Sequence, residues 1–391
     1  MVHATLRLAR AAALGACVIA LLGCSSPQPR DARRAAVVPT PTPAASQSAT
    51  RPAAPSLSGS AVTARPTPSA TAAAKTGPLP TLVGEQPEAS LIRVDDQDVF
   101  VVAHRLGNGY LVAMPKAGGS RRVLESGPGA VDDDRMAELE LHGKCAYLTS
   151  SNCEEQPSFR WVCLGEVQAM AKIPGAARCG KFAHAVRGPH TVARGLAMDA
   201  TSVYWLERVT TGFHDDLSYG EQLVRAPIGG GQGRPIGPKL AHATAVAAAD
   251  GTAFVVDAGS GPGQGRIVRI PANGIGVTEL VVGQTAAMAL AVDTTRLYWL
   301  AGDPPTLFSI ERGAPAKSAP VTLATEVSAF ALDVNDVYFA GRDGLMRVPK
   351  DRSAPPKLIF EPQDGPQVSL AVDATSVFYL GVDGRVMRVA K

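Results

Sequence analysis

The chain has 391 residues and a formal net charge of +3, with basic and acidic residues interspersed. A near-neutral chain of this kind lacks the basic patch that nucleic-acid binding requires. Glycine (39) and proline (31) are frequent, aromatic residues make up only 5%, and no long amphipathic pattern at helical spacing occurs. This composition favours an all-β fold of many short strands joined by turns.

The N-terminal segment has the pattern of an export signal. Arg7 and Arg10 precede a 12-residue apolar run, AAALGACVIALL, which is too short to span a bilayer as a mature helix. The run ends in LLGC (21–24), which resembles the lipobox of bacterial lipoproteins. The resemblance implies that residues 1–23 are a lipoprotein signal peptide and that Cys24 is acylated, which gives stable membrane anchoring. Ser25 follows the cysteine, and in the Gram-negative sorting pattern this implies the outer membrane, with the periplasmic or surface side left open.

Residues 24–78 are rich in proline, alanine, serine and threonine and cannot bury a core. They are predicted to be a disordered, partly polyproline-like linker. Its reach would be between ~40 Å as a coil and ~170 Å fully extended. The linker would therefore hold residues 79–391 away from the membrane.

Residues 79–391 carry an internal repeat. The last copy, LAVDATSVFYLGVDGRVMRVAK (370–391), is matched by LAMDATSVYWLER (196–208) and LAVDTTRLYWLAG (290–302). Aligning every copy on the aspartate of its "AVD" phrase gives Asp95, His142, Asp199, Ala249, Asp293, Asp333 and Asp373. The spacings of 47, 57, 50, 44, 40 and 40 residues are typical of four-stranded β-propeller blades.

The first strand of each repeat alternates large and small apolar residues, as in Leu290 and Val292 against Ala289 and Ala291. Successive side chains point to opposite faces of a strand, so each inner strand would have a bulky face and a thin face. Packing of the bulky face of one inner strand against the thin face of the next allows neighbouring blades to interdigitate near the axis.

The last repeat ends at Lys391 without a fourth strand, whereas PTLVGE (80–85), ahead of the first repeat, resembles the fourth-strand phrases LVVGQ and VTLATE. We therefore predict that this N-terminal strand completes the seventh blade and removes an exposed edge. The prediction is a seven-bladed β-propeller. Six blades is the alternative, if the cysteine-rich second repeat is not counted.

The VYWL and LYWL strands resemble the YWTD-type propeller repeats, although Leu206 and Leu300 stand where that motif is acidic. The whole 40-residue phrase is more similar to tandem propeller repeats in exported lipoproteins of high-GC Gram-negative bacteria. This resemblance implies the fold and no particular ligand.

The repeated aspartates are each followed within two residues by threonine or asparagine, at Asp199, Asp293, Asp333 and Asp373. This is turn chemistry, in which the carboxylate accepts backbone N–H groups of the turn. We therefore interpret these aspartates as structural and not as a catalytic ring.

Four cysteines, Cys145, Cys153, Cys163 and Cys179, fall in the second repeat. In an exported chain they predict two disulfides, and no C-x-x-C spacing supports a metal site. Strand geometry favours the pairs 153–163 and 145–179 among three possible connectivities. The stapled repeat is a candidate contact surface.

Ligands of propellers usually sit where the inner strands begin at the axial channel. Counting back from the aligned position gives five candidate ligand residues at this mouth: Glu88, Arg135, Arg194, His242 and Glu326. The sequence predicts no cofactor. The favoured hypothesis is a lipid-anchored binding or scaffolding module for a protein, glycan or envelope component. The alternative is a lyase- or lactonase-like propeller enzyme with its site at the channel mouth.

Overall fold

The computed structural model describes residues 79–105, 108–128, 138–156, 160–172, 179–183, 191–211, 218–362 and 367–391. All of them belong to one compact unit, Thr76–Lys391. The described part of the chain consists of strands and their connections, and it contains no helix long and apolar enough to cross a membrane.

The strands form six four-stranded sheets and one five-stranded sheet, which we number as blades 1–7 in the order of their inner strands. Blade 1 comprises β2 (Ala89–Val94), β3 (Asp98–Arg105), β4 (Asn108–Pro115) and β5 (Arg122–Pro128). Blade 3 comprises β10 (Thr191–Met198), β11 (Ser202–Thr211), β12 (Ser218–Pro227) and β14 (Arg234–Leu240). Blade 4 comprises β15 (Ala243–Ala249), β16 (Thr252–Asp257), β17 (Gly265–Pro271) and β18 (Thr278–Gln284). Blade 5 comprises β19 (Met288–Val292), β20 (Arg296–Ala301), β21 (Thr306–Glu311) and β22 (Val321–Ala324). Blade 6 comprises β23 (Val327–Leu332), β24 (Asp336–Gly341), β25 (Gly344–Pro349) and β26 (Lys357–Phe360).

Blade 7 contains both ends of the described chain. It comprises β27 (Gln367–Val372), β28 (Ser376–Gly381), β29 (Arg385–Ala390) and β1 (Thr81–Glu85). β1 is the outermost strand and pairs antiparallel with β29. This confirms the predicted closure of the last blade by an N-terminal strand.

Blade 2 is the five-stranded sheet formed by the cysteine-rich repeat. It comprises β6 (Leu139–His142), β7 (Cys145–Gln156), β8 (Arg160–Ala171), β9 (Gly180–Ala183) and β13 (Gly231–Gln232). β13 comes from the connection between β12 and β14 of blade 3 and pairs in parallel with β9. The alternative count of six matches the four-stranded blades. The cysteine-rich repeat adds a seventh sheet whose fifth strand the repeat pattern did not predict.

The core lies between neighbouring blades, as the alternation in the inner strands predicts. Ala371 of blade 7 shares a buried cluster with Ile92 and Val99 of blade 1. Ala197 of blade 3 shares another with Val246 of blade 4. The small residues of one inner strand thus face the bulky residues of the next, which lets the blades approach closely without voids.

Candidate functional site

The ring has two faces, which the connectivity defines. Because the strands of each blade are antiparallel, the connections from first to second strand and from third to fourth lie on one face, which we call the turn face. The inner strands begin on the opposite face, which we call the mouth face.

The four predicted mouth residues that the structure describes, Glu88, Arg194, His242 and Glu326, belong to four different blades. Glu88 and Glu326 directly precede inner strands and have positive φ angles of 61° and 56°. The carboxylate of Glu326 lies 3.7 Å from the guanidinium of Arg342. These side chains are 44% and 79% exposed, so the ion pair contributes little to stability. The fifth candidate, Arg135, lies outside the described residues.

Glu88 contacts a neighbour in its own blade through its backbone. Its carbonyl accepts a hydrogen bond of 3.2 Å from the backbone N–H of His104. Burial lowers the pKa of the His104 imidazole, and the charge of Glu88 partly offsets that effect. Nε2 of His104 is buried without a hydrogen-bond partner among the described residues.

Arg194 belongs to a buried ionic cluster in blade 3. It pairs with Glu221, whose side chain is 1% exposed and lies 3.0 Å from Arg208. Burial, together with the charge of Arg208, lowers the pKa of Arg194 to about 10. A buried carboxylate is tolerated only when it is paired in this way, so Arg194 stabilises blade 3.

His242 is positioned by a second buried carboxylate. Its backbone N–H donates to Oδ1 of Asp257 at 2.9 Å, and Arg266 pairs with Oδ2 of the same residue at 2.9 Å. Asp257 is 1% exposed. Burial opposes its ionisation, but these hydrogen bonds leave its pKa lowered. The mouth candidates are thus each tied into their own blade and not joined in one constellation.

The axial side of blades 1 and 2 carries a further ion pair. Arg93 on β2 lies 3.3 Å from Glu140 on β6, and both side chains are about one-third exposed. Burial raises the pKa of the neighbouring Glu138, with Arg93 lowering it and Glu140 adding to the rise. In the described part of the chain, no group of three or more acidic, histidine or cysteine side chains could hold a metal ion.

Cys145 and Cys179 form a disulfide in blade 2, which confirms that predicted pair. The register of β7 and β8 places Cys153 opposite Cys163, as the second predicted pair requires. The bond between them stays a prediction. Cys24 lies outside the described residues.

The aspartates at the ends of the inner strands lie on the turn face, where they have the predicted turn role. Oδ1 of Asp293 accepts the backbone N–H groups of Thr295 (2.8 Å) and Arg296 (2.7 Å). The same pair of bonds recurs at four other turns, those of Asp95, Asp199, Asp333 and Asp373.

The second oxygen of four of these aspartates binds a lysine of the next blade. The lysine directly follows the third strand, and its ammonium group contacts Oδ2 of the aspartate in the preceding blade. We call this arrangement the Asp–Lys clasp. The pairs are Asp373 with Lys116 (2.5 Å), Asp95 with Lys172 (2.8 Å), Asp293 with Lys350 (2.7 Å) and Asp333 with Lys391.

An aromatic residue five positions after the aspartate completes each clasp. Lys350 lies 5.7 Å from the ring centroid of Tyr298, whose hydroxyl donates to Oδ2 of Asp293 at 3.1 Å. Burial alone would raise the pKa of Asp293, but Lys350 and the turn N–H groups lower it to about 2. Asp333 reaches about 2 in the same way, with Lys391 as its partner.

These lysines were not among the residues predicted from the sequence. Each completes a phrase that ends in proline or alanine followed by lysine: AMPK (113–116), AMAK (169–172), RVPK (347–350) and RVAK (388–391). That recurrence was the signal for the lysines, but the aspartate that each lysine contacts lies in another repeat. The turn face therefore carries a set of inter-blade contacts that stabilise the ring.

Comparison with known proteins shows the fold alone. No protein-family model matches the chain, and no curated protein matches it. The computationally designed Ika8 protein is similar in structure, with 14% identity, a TM-score of 0.50, and coverage of 81% of this chain and 100% of that one. BamB from Moraxella catarrhalis is similar at 13% identity with a TM-score of 0.44, covering 78% of this chain and 85% of that one. The chain is an all-β propeller.

Proposed function

We propose that this protein is a lipid-anchored protein of the cell envelope, on the outer membrane, whose propeller binds an envelope protein or glycan through the mouth face of blades 2 and 3. The LLGC sequence at Cys24 supports the anchor, and the linker that follows supports a propeller held away from the bilayer.

The observation that carries the binding role is the length of two neighbouring hairpins. β7 and β8 have 12 residues each, and β11 and β12 have 10, whereas β20 and β21 of blade 5 have 6. β7 starts three residues after its aligned position, as β20 does, so the extra length extends toward the mouth face. Six additional residues correspond to about 20 Å. The two hairpins would form a raised surface beside the channel mouth.

Blade 2 supports that surface at its base. The Cys145–Cys179 disulfide joins the start of β7 to the residue before β9, and β13 of blade 3 pairs with the outer edge of β9. Loops that bind partners are most effective on a rigid scaffold, because ordering them costs less free energy on binding.

The anchor is tested by metabolic labelling with a radioactive fatty acid. The full chain should incorporate label and fractionate with the outer membrane, and Cys24→Ser should do neither. Label in the serine variant, or soluble full chain, would contradict the anchor.

The binding surface is tested with the tagged full chain extracted in mild detergent. A variant in which an Asn-Gly turn directly joins Ser150 to Glu166, which are register partners, shortens the blade 2 hairpin to ordinary length. We expect one envelope protein or glycan to be retained by the unaltered chain and lost from the variant, with the circular dichroism spectrum unchanged. Equal retention by both would refute the hairpin surface, and a small molecule retained by both would favour the channel mouth instead.

A further inference from the structure

The turn-face junction between blades 4 and 5 departs from the Asp–Lys clasp at two of its three positions and keeps the aromatic residue. Ala249 stands where four other junctions have the clasp aspartate, and Arg312 follows the third strand in place of lysine, whereas Phe254 is the aromatic residue, as Phe100 and Phe378 are in two of the clasps. The cation is therefore kept while the carboxylate that it would bind is missing.

The turn of blade 4 explains the missing aspartate. Asp250 and Gly251 have φ angles of 49° and 71°, which is the two-residue turn typical of an Asp-Gly hairpin. The N–H of Gly251 in this turn donates to Oδ2 of Asp199 in blade 3 at 3.1 Å, so the turn is capped without an aspartate at position 249. In the four clasps the aspartate both caps its turn and binds the cation, so the absence of an aspartate at position 249 leaves Arg312 with a different partner.

Arg312 is held in place, and its ion pair is weak. Its guanidinium donates to the carbonyls of Asp293 (3.2 Å), Thr294 (3.0 Å) and Ala249 (3.4 Å), and it lies 6.0 Å from the ring centroid of Phe254. Its carboxylate partner is Asp250 at 2.9 Å, but that side chain is 79% exposed. An exposed ion pair contributes little, so another carboxylate can displace it at small cost.

The same junction contains an open pocket. Its lining includes Asp250, Thr252, Phe254, Arg269, Thr294 and Arg312. Arg269 donates to the backbone carbonyl of Arg312 at 3.1 Å, which fixes a second guanidinium in the lining of the pocket. Two arginines against one exposed carboxylate give the lining a formal charge of +1, and the threonines add hydroxyl donors.

We propose that this pocket binds a carboxylate group of a ligand, which takes the place that the aspartate carboxylate has in the other clasps. A planar guanidinium can bind a carboxylate with two parallel hydrogen bonds, which the lysine of the other clasps cannot do. The site is on the turn face and is independent of the function proposed for the mouth face.

The test uses ligand-observed NMR titration of the full chain with two probes that represent the two sources of carboxylate. N-acetyl-aspartate methylamide stands for an acidic peptide and glucuronate for an acidic sugar. Their neutral counterparts, the asparagine derivative and glucose, are the matched controls. We expect saturable binding of at least one carboxylate probe and at least tenfold weaker binding of its neutral counterpart.

Three variants make the test specific. Asp250→Asn removes the internal competitor and should tighten binding several-fold, a gain that misfolding cannot produce. Arg312→Gln should weaken it at least tenfold. The triple variant A249D/D250T/G251T copies Asp293-Thr294-Thr295 of the next blade, so it should supply an internal carboxylate and abolish binding while keeping the fold.

Several results would overturn the proposal. The first is no binding of either carboxylate probe to the unaltered chain or to Asp250→Asn. Equal affinity in the triple variant, or an unchanged affinity in Asp250→Asn, would show that binding occurs elsewhere. Binding of inorganic phosphate without binding of either carboxylate probe would show that the pocket selects another anion.

Discussion

Replacing Lys350 by methionine tests whether the Asp–Lys clasp stabilises the ring. Lys350 and Asp293 are 13% and 16% exposed and lie 2.7 Å apart. The pKa of Asp293 falls from 3.8 to about 2, against the opposing effect of burial. A shift of this size corresponds to about 2 kcal/mol of stability at neutral pH, of which Lys350 supplies the largest favourable share. We therefore expect Lys350→Met to cost roughly 1–2 kcal/mol and, for a domain of this size, to lower Tm by roughly 1.5–3 °C at pH 7.

The pH dependence separates the charge effect from lost packing. Because the pKa of Asp293 is lowered by folding, its stabilisation is complete above the unfolded pKa near 3.8 and is lost as the pH falls toward 2. The Tm difference between the native chain and Lys350→Met, measured by calorimetry, should thus be constant above about pH 5 and should become smaller as the pH falls further. Lys357→Met, at an exposed lysine on β26 of the same blade, is the control. An equal Tm loss at pH 7 and pH 2.5, or a loss no larger than the control's, would refute the reasoning.

Three further changes test how the ring is held. Changing Cys145 and Cys179 together to serine should cost about 3–4 kcal/mol, given their sequence separation of 34, and a reductant should produce the same loss in the native chain in a denaturant titration. Gly233→Ala would place a methyl group 2.6 Å from Cζ2 of Trp205 and should cost roughly 1–3 kcal/mol in the same assay, whereas Gly229→Ala, with open space around it, should be neutral. Deleting residues 79–85 removes β1 and exposes the edge of β29, so light scattering should detect aggregation, and a monomeric product of unchanged Tm would contradict the role of β1 in closure.

The architecture could be predicted because each blade is specified by contacts within one repeat and with its immediate neighbour. The alternation of Leu290 and Val292 with Ala289 and Ala291 is visible in the sequence and needs no knowledge of the ring. The end strand PTLVGE was recognisable because its phrase recurs in other fourth strands. These local signals agree with the global fold, which is why the fold of a repeat protein can be predicted from its sequence.

Features that join different repeats could not be predicted in this way. β13 is the pair Gly231–Gln232 within a glycine-rich connection, and it becomes a strand only because β9 of another blade presents an edge to it. Contacts between strands of one blade were also not predicted: Arg194 and His242 were expected near the starts of inner strands, but their carboxylate partners Glu221 and Asp257 lie on other strands of the same blades. No property of one repeat indicates which carboxylate will be buried beside which cation.

The distribution of the clasps relates the regular and irregular blades to different tasks. Repeats aligned at Asp293, Asp333 and Asp373 are 40 residues apart, and clasps join blades 5 to 6, 6 to 7, 7 to 1 and 1 to 2. The junction of blades 7 and 1 lies beside the site where β1 pairs with β29, where pairing between the two chain ends closes the ring. Inter-blade ion pairs that are largely buried are most valuable there, because an open ring exposes two unpaired blade faces. Ile228 and Ala272 replace the clasp lysine at the junctions of blades 2 to 3 and 3 to 4. Blades 2 and 3 have the long hairpins, and the spacings from their repeats to the next are 57 and 50 residues. The clasps thus hold the ring at four junctions, and the proposed hairpin surface and arginine pocket lie at junctions without a clasp.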